Sequence, residues 1–250
     1  MSGHSHWAKI KRSKATVDAR RGREWSKLAR RIIVAARVGG GKPEENLSLR
    51  YAIDDARAAN MPKDTIANAI KRGTGEIGAE NYEQVIYEGY GPGGVAIMVD
   101  CLTDNRNRTV PELRKIFERA GGQLGSSNCV AYMFEQKGTF TISADLTDED
   151  TLLELALDAG AEDVRKETDV FEIICAPADF SAVKEALAAA GIETIAAEIA
   201  MVPTTSVTIA EDRARQVLTL METLQDSEDV QNVYSNFDIP DDVAAKLEAS

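Results

Sequence analysis

The 250-residue chain is poor in histidine, cysteine and long apolar runs, and each shortage excludes a class of protein. Histidine occurs only at His4 and His6, so the commonest general base is missing from the rest of the chain. The three cysteines, Cys101, Cys129 and Cys175, are too far apart in sequence for a CxxC metal pair or a disulfide framework, and we interpret them as buried free thiols. No run of 18 apolar residues occurs, which argues against a membrane-spanning helix.

Two glycine-rich stretches match the GxGxxG spacing of dinucleotide-binding turns, but neither has the required context. Such a site needs a strand before the glycines and a helix amino terminus after them to receive the pyrophosphate. Gly73–Gly78 follows a predicted helix, and Gly89–Gly94 leads into a predicted strand. His4 and His6 could supply two metal ligands, but no cysteine or carboxylate cluster near them completes a shell. We therefore expect no cofactor, no metal and no catalytic residues, and we interpret the chain as a non-enzyme.

Charge is distributed unevenly along a chain whose net charge is −12. Residues 1–72 carry 17 lysines and arginines against 7 acids, whereas residues 73–250 carry 12 against 34. The first part is therefore +10 and the remainder is −22. A basic module attached to an acidic body indicates a polyanionic partner, because lysine and arginine attract phosphates that the acidic part repels.

The basic part begins with a predicted amphipathic helix over residues 23–38. At 100° per residue, Trp25, Leu28 and Ile32 fall on one apolar face and most of the basic side chains fall on the other. The glycines at 39–41 are expected to end this helix, because glycine adopts the left-handed backbone that a carboxyl-terminal cap needs.

Two shorter helices are predicted to complete the basic domain. Asn46 can cap a helix that runs to about Asn60. Pro62 suits the first turn of a third helix, which Gly73 is expected to end.

Beyond residue 73 the sequence changes to β-branched runs separated by glycine, which predicts α/β structure. Strands at 85–87 and 95–102 are predicted to form a hairpin. A helix should follow, started by a capping box of Thr109 and Glu112. Residues 130–134 are predicted to form another strand.

Residues 139–202 have the element order βαββαβ, which is the ferredoxin-like split. The tail, a helix at 211–224 and a strand at 230–237, has no core of its own, so we expect it to fold back onto the strands of residues 82–135. The predicted fold is thus α+β, with an N-terminal three-helix domain followed by two ferredoxin-like α/β sandwich domains, the third inserted into the second. The predicted boundaries are 1–76 for domain one, 77–136 plus 204–250 for domain two, and 137–203 for domain three.

The densest cationic segment lies within the first 31 residues, interrupted only by Asp18 and Glu24. If about five of its cations meet phosphates, counterion release predicts a log-log salt slope near −4.5 and a loss of roughly 10² to 10³ in affinity between 50 and 200 mM salt. Trp7 is a candidate for stacking on a base, whereas Trp25 is expected in the core. The candidate phosphate-binding residues are Lys9, Lys11, Arg12, Lys14, Arg20, Arg21, Arg23, Lys27, Arg30 and Arg31.

Arg106 and Arg108 form a second candidate at the start of the helix that follows the hairpin. Arginines beside free backbone N–H groups offer a favourable geometry for phosphate. Asp and Asn residues in such a segment also form turns, so both interpretations stay open here.

Several of these segments together carry a resemblance to a known family. Over nearly the whole chain the sequence resembles the YebC/PmpR family, with His6 as a departure where the family usually shows lysine. The family pattern starts within three residues of Met1, so we expect no cleavable transit peptide and a bacterial cytoplasmic location, in contrast to the similar mitochondrial translational activators of cytochrome c oxidase. The motifs, in chain order, are GHSHWA at 3–8, AARVGG at 35–40, NMPKD at 60–64, YEGYGPGG at 87–94 and DNRNRT at 104–109.

The resemblance implies a three-domain α plus α/β protein without catalytic activity. Members are generally described as DNA-binding transcriptional regulators, and others as translation factors that act on the ribosome. The third helix offers only Lys63, Lys71 and Arg72, with no obvious set of base-reading side chains. We therefore predict a DNA-binding regulator of transcription that contacts phosphates through its basic domain. The alternative is a translation factor that binds ribosomal RNA or tRNA.

Partners other than nucleic acid are less favoured by the sequence. We expect no membrane and no small-molecule substrate, and the sequence leaves the oligomeric state open. A carboxylate enzyme with its site between domains two and three, and a protein-interaction scaffold, stay as further alternatives.

Overall fold

The computed structural model describes residues 17–78, 81–167, 169–240 and 243. The predicted α+β architecture is confirmed: a helical region precedes two sandwiches, each with an antiparallel four-stranded sheet. In chain order the elements are α1 Val17–Gly39, α2 Leu47–Ala58, α3 Lys63–Thr74, β1 Glu83–Tyr90, β2 Ala96–Thr103, α4 Arg106–Arg119, β3 Gln123–Leu124, β4 Phe134–Ser143, α5 Glu149–Asp158, β5 Ala161–Glu167, β6 Val170–Cys175, α6 Phe180–Ala189, β7 Thr194–Pro203, β8 Val207–Thr208, α7 Glu211–Asp226, β9 Val230–Ser235 and β10 Phe237–Asp238.

Domain one is a three-helix unit whose core lies between α1, α2 and α3. Ile32 and Leu49 are fully buried in it, and Trp25 packs against the same cluster while its indole N–H donates to the Ala59 carbonyl at 3.0 Å. Asn46 caps α2 as the sequence predicts, with its side-chain oxygen accepting from the Leu49 N–H at 3.1 Å. Helix α1 begins six residues before the predicted start, at Val17.

The end of α3 differs from the prediction. The helix continues through Gly73 to Thr74, and Gly75, with φ of 82°, provides the left-handed cap. Gly73 has another reason to be glycine: a Cβ there would lie 2.5 Å from the Ile33 carbonyl oxygen and 2.7 Å from the Ala36 Cβ. The glycine therefore allows α3 to approach the backbone of α1 closely.

Replacing Gly73 by alanine should lower the free energy of unfolding by about 1 to 3 kcal/mol, because the added methyl group overpacks the α1–α3 contact. The change should appear as a lower urea midpoint of the Trp25 fluorescence transition. Gly22→Ala is the matched control: this α1 glycine has nothing within 4 Å of the added Cβ, so alanine should raise stability by up to about 1 kcal/mol. Equal effects at the two sites would contradict close packing at Gly73.

Domain two has the strand order β3-β1-β2-β9, and helices α4 and α7 cover one face of this sheet. Alternate residues of β2, such as Ile97 and Val99, point into the core with Phe117 and Leu220. Strand β9 pairs with β2 in antiparallel register, so the tail of the chain completes this sheet. The predicted insertion of domain three into domain two is therefore confirmed.

Domain three has the order β5-β6-β4-β7 with the connectivity βαββαβ, as the ferredoxin-like prediction requires. Phe140, Phe171 and Leu187 fill its core between the sheet and helices α5 and α6. The element order of domain two is different because that domain begins with the β1–β2 hairpin. The domain boundaries at 76, 136 and 203 stay our proposal.

The strand predicted at 130–134 is wrong for most of its length. Residues Ala131–Met133 form a 3₁₀ turn, and β4 begins only at Phe134. The reason is Glu88, a buried carboxylate on β1. Its oxygens accept hydrogen bonds from three backbone N–H groups, those of Asn128 at 2.7 Å and of Val130 and Ala131 at 2.8 Å. These bonds take the donors that a strand would give to a neighbour.

The predicted capping box at the start of α4 is also wrong. The helix begins at Arg106, and the side chain of Asn105 caps it by accepting from the Arg108 N–H at 3.2 Å. Thr109 and Glu112 lie inside the helix and bind residues of the distant α7–β9 connection instead.

Candidate nucleic-acid interface

The residues predicted to bind phosphate fall into three groups in the structure. Those of the first sixteen positions, Lys9, Lys11, Arg12 and Lys14, lie outside the described residues. Arg20 and Arg21 belong to α1, but their side chains are not among those described. The positions of the remaining six candidates, Arg23, Lys27, Arg30, Arg31, Arg106 and Arg108, are described with their contacts.

The basic face of α1 lies against the carboxyl end of α7 and the connection that leads to β9, residues 225–229, which we call the acidic turn. Lys27 donates to the Gln225 carbonyl. Arg30 donates to the Glu228 carbonyl, and a guanidinium nitrogen lies 3.0 Å from an Asp229 carboxylate oxygen. Arg23 adds a more exposed pair with Asp226 at 3.6 Å, and this pair contributes less because both side chains are partly in solvent. The acidic turn therefore occupies part of the surface that the sequence assigns to phosphate.

Asp229 is the centre of this contact. Its side chain is only 3% exposed, and it accepts from Arg30 of domain one and from Arg108 of domain two, the latter at 2.9 Å to both oxygens. The buried hydroxyl of Thr109 donates to it at 2.7 Å, and that of Thr103 at 3.2 Å. Two guanidinium groups and two hydroxyl groups thus surround one carboxylate, and the cluster joins α1 to α4.

The surroundings of Asp229 stabilise its charged form. Burial raises the pKa of this carboxyl group, but the hydrogen bonds from Thr109 and Arg108 and the charges of Arg108 and Arg30 together hold the pKa below its ordinary value. The carboxylate is therefore ionised at neutral pH and acts as a permanent counter-ion for the two arginines.

Arg106 and Arg108, the second candidate group, are also paired with carboxylates. Arg106 makes a bidentate pair with Glu83 at 2.6 and 2.7 Å. Arg108 bridges Asp229 and Asp104, the latter at 2.7 Å. The helix start itself is closed by Asn105, so a backbone N–H group on which the phosphate interpretation relied is already hydrogen-bonded.

The remaining α1 cations face other parts of domain one and its linker. Arg31, which is 43% exposed, lies 2.9 Å from Asp55 of α2. Arg37 donates to the Tyr82 carbonyl and to Asn81 near the start of domain two. Domain one also contacts domain three, because the Tyr51 and Ser181 hydroxyl groups are 2.8 Å apart.

Sequence reasoning missed Asp229 and Glu88, the two buried carboxylates that organise this region. Neither belongs to a recognisable motif: Asp229 stands in an acidic run that looks like a solvated surface, and Glu88 precedes a glycine-rich hairpin. Only the pairing of segments far apart in the chain brings donors to them. Within the described ranges, no group of three His, Cys, Asp or Glu side chains is arranged to hold a metal. None of the helices in those ranges combines the length and the hydropathy that a bilayer span requires.

These features define a class of protein: a basic helical domain held by ion pairs on a pair of acidic α/β sandwiches, one inserted in the other. Residues 5–76 match the family described as the TACO1/YebC protein N-terminal domain, and residues 82–237 match the TACO1/YebC second and third domain. The chain belongs to the TACO1/YebC family.

Relatives of the same length are found in several bacteria. A probable transcriptional regulatory protein of Desulforapulum autotrophicum is 54% identical over 97% of this chain and 98% of its own. Another, of Syntrophus aciditrophicus, is 51% identical over the full length of both chains. The crystal structure of a conserved hypothetical protein from Aquifex aeolicus is similar with a TM-score of 0.83 and 48% identity, covering 91% of this chain and 94% of that one.

Proposed function

We propose that this protein is a non-enzymatic regulator of transcription that binds DNA phosphates through its basic N-terminal domain. The observation that carries the proposal is the separation of charge, +10 in residues 1–72 against −22 in the remainder. Relatives at about 50% identity are named probable transcriptional regulatory proteins, which agrees with it.

The contacts of α1 indicate which of its arginines can bind phosphate. Arg30 is only 11% exposed and already has a carboxylate partner, so it serves first to hold domain one in place. Arg23 and Arg31 are each 43% exposed and their ion pairs are largely in solvent. Exposed pairs of this kind contribute about 0 to 1 kcal/mol, so a phosphate can replace the carboxylate at little cost. These two arginines, together with the cations that precede α1 in the sequence, are the residues we assign to phosphate.

The acidic sandwiches restrict how a polyanion approaches. A body of −22 repels neighbouring phosphates, so the nucleic acid meets the molecule from the side of domain one. Within α3, the exposed basic side chains are Lys63, Lys71 and Arg72, and a set of Arg, Asn and Gln residues suited to reading base edges is not evident there. This favours contacts with the backbone over sequence-specific readout, and it is the observation that keeps a ribosome-binding translation factor as the second candidate.

The proposal is tested by binding to a fluorescent 24-base-pair duplex between 50 and 200 mM salt. About five phosphate contacts give a log-log slope near −4.5. Reversing four cations, in the variant Lys9→Glu, Lys11→Glu, Arg12→Glu and Lys14→Glu, should remove most of this slope. At 0.1 M salt the affinity should fall by roughly 4 × 10³-fold, since each lost contact removes about 0.9 logarithmic units.

The matched control reverses four cations of domain three, Lys137, Arg165, Lys166 and Lys184, which changes the net charge equally. This control should bind nearly as wild type does. A wild-type affinity that does not respond to salt, or equal binding by both variants, would overturn the proposal.

The two candidate targets are separated by comparing retention on promoter duplex with cosedimentation with ribosomes, both at 150 mM salt. A transcription regulator should be retained on the duplex and should stay in the supernatant when ribosomes are pelleted. The translation factor would be supported instead if wild type pelleted with ribosomes, the four-residue variant did not, and neither was retained on the duplex.

A further inference from the structure

Most cations of the acidic sandwiches lie on two helices of domain two. Of the twelve lysines and arginines in residues 73–250, seven belong to the two helices α4 and α7 that cover the sheet of domain two. The surface that these helices present is therefore far less acidic than the rest of the body.

Four of these cations have no carboxylate partner in an ion pair within the described part of the chain. They contrast with six cations of domains two and three that do, among them Lys137 with Glu162 and Arg165 with Asp163. Outside these two helices, Lys184 is the one cation of the described part of domains two and three without such a pair, and its ammonium group lies over the Tyr51 ring. The unpaired cations are therefore concentrated on α4 and α7. The four residues are Arg114, Lys115, Arg119 and Arg215.

Two of the four flank a groove between the helices. Arg119 and Ala120 at the end of α4 face Arg215, Gln216 and Thr219 of α7 across a space of about 270 Å³. The two helices run antiparallel here, because at their other end the Ser227 hydroxyl, just beyond α7, donates to Glu112 of α4 at 2.8 Å. The lining therefore offers two guanidinium groups and an amide as donors, and it contains no carboxylate. The Thr219 hydroxyl already donates to the Arg215 carbonyl at 2.8 Å.

A row of basic residues on α4 connects the groove with the contact between α1 and the acidic turn. Spacings of seven and four residues place Arg108, Lys115 and Arg119 within about 40° of one another around α4. Arg108 shares Asp229 with Arg30 of domain one. From Arg108 to Arg119 the helix rises about 16 Å at 1.5 Å per residue, which equals the rise of about five phosphates of one strand measured along the duplex axis.

We propose that the α4–α7 groove is a second phosphate-binding site, which holds the sugar-phosphate backbone of the same nucleic acid that domain one binds. Arg119 and Arg215 are its anchors, because the guanidinium group donates two parallel hydrogen bonds to a phosphate. The line of basic residues on α4 leads from domain one to this groove. The inference rests on the proposed function, since it assigns to that function a second set of contacts.

The test is the double variant Arg119→Gln and Arg215→Gln, measured against the full-length wild type with the same 24-base-pair duplex. The loss of two phosphate contacts should make the salt slope shallower by about 1.8, and should weaken binding at 0.1 M salt by roughly 60-fold. With single-stranded RNA of the same length the slope should change by about 1.4. The thermal midpoint should stay that of wild type, since both side chains are exposed and unpaired with carboxylates in the described residues.

The matched control is Arg165→Gln with Lys166→Gln on β5, which removes the same two charges from domain three and should leave the slope unchanged. If wild type binds and the Lys9–Lys14 variant loses binding, but the groove variant behaves as this control does, the second site is wrong and the proposed function stands. If wild type itself shows no salt-dependent binding, both fail together.

Discussion

Replacing Asp229 by alanine should lower the free energy of unfolding by about 3 to 5 kcal/mol, because the largely buried guanidinium group of Arg30 loses its nearest counter-ion and two buried hydroxyl groups lose an acceptor. Arg30 and Arg108 would both lose their shared carboxylate, and the hydroxyl groups of Thr103 and Thr109 would lose an acceptor. Because Arg30 belongs to domain one, part of the loss should appear as undocking of that domain. The measurement is urea unfolding, followed by Trp25 fluorescence for domain one and by far-ultraviolet circular dichroism for the whole chain.

Asp212→Ala is the control for this substitution. Asp212 is 74% exposed and lies 3.6 Å from Arg213, so its removal should change stability by less than about 1 kcal/mol. Asp229→Asn keeps an acceptor oxygen but loses the charge. Its free energy of unfolding should lie between those of Asp229→Ala and Asp212→Ala. If Asp229→Ala proved as harmless as Asp212→Ala, the Asp229 cluster would not hold the domains together.

The same carboxylate gives the docking a defined pH dependence. Its pKa in the folded state lies below the ordinary value, so its stabilising contribution is present above the unfolded pKa of about 3.9 and is lost as the pH falls through the folded pKa. Wild type should therefore lose more stability than Asp229→Asn between pH 4 and pH 2. Parallel losses in the two proteins would show that the charge of Asp229 is not involved.

Replacing Glu88 by alanine should also lower the free energy of unfolding by about 3 kcal/mol or more. Three backbone N–H groups, those of Asn128, Val130 and Ala131, would lose their acceptor. Val130 is buried and Ala131 is half-buried, and each buried donor left unpaired costs about 1 to 3 kcal/mol. The segment that leads from domain two into β4 should then open, which hydrogen exchange at Val130 and Ala131 would detect as faster exchange.

Glu88→Gln separates the charge of this side chain from its shape. The amide retains one acceptor oxygen but turns an N–H donor toward backbone donors, so it should recover less than half of the lost stability. Glu135→Gln serves as control, since the Glu135 side chain is 62% exposed and its carboxylate lies 3.6 Å from the Lys137 ammonium group. Equal stability of Glu88→Gln and wild type would show that the three hydrogen bonds do not depend on the carboxylate.

Local patterns were enough to predict most of the helices and strands. The bounds of β6 and the start of α6 agree with the sequence, because hydrophobic periodicity and flanking turns in domain three act over a few residues. The prediction of α4 was wrong at its start because two capping patterns compete there. Asn105 takes the cap, since Thr109 is drawn to Asp229, which is 120 residues away in sequence.

The site was harder to predict than the fold. Charge counting located the cations of α1, but it could not show that the Arg30 guanidinium faces Asp229, which is 199 residues further along the chain. Nor did the acidic run at 226–229 show that one of its carboxylates is buried while its neighbours stay exposed. Long-range pairing decides both points, and neither periodicity nor composition contains that information.

The way the chain enters and leaves domain three determines which parts of the molecule can move. Strands β4 and β7 lie side by side from Phe134 and Pro203 onward, and the Thr204 N–H donates to the Met133 carbonyl at 2.8 Å. The two sandwiches are therefore connected by a double-stranded neck, which cannot bend without distorting a ladder of hydrogen bonds. Domain one is joined to the sandwiches by one passage of the chain, so side-chain contacts fix its position. These are the Asp229 cluster, the bond from Arg37 to the Tyr82 carbonyl and the Tyr51–Ser181 hydrogen bond, and none of them is part of a ladder of backbone hydrogen bonds.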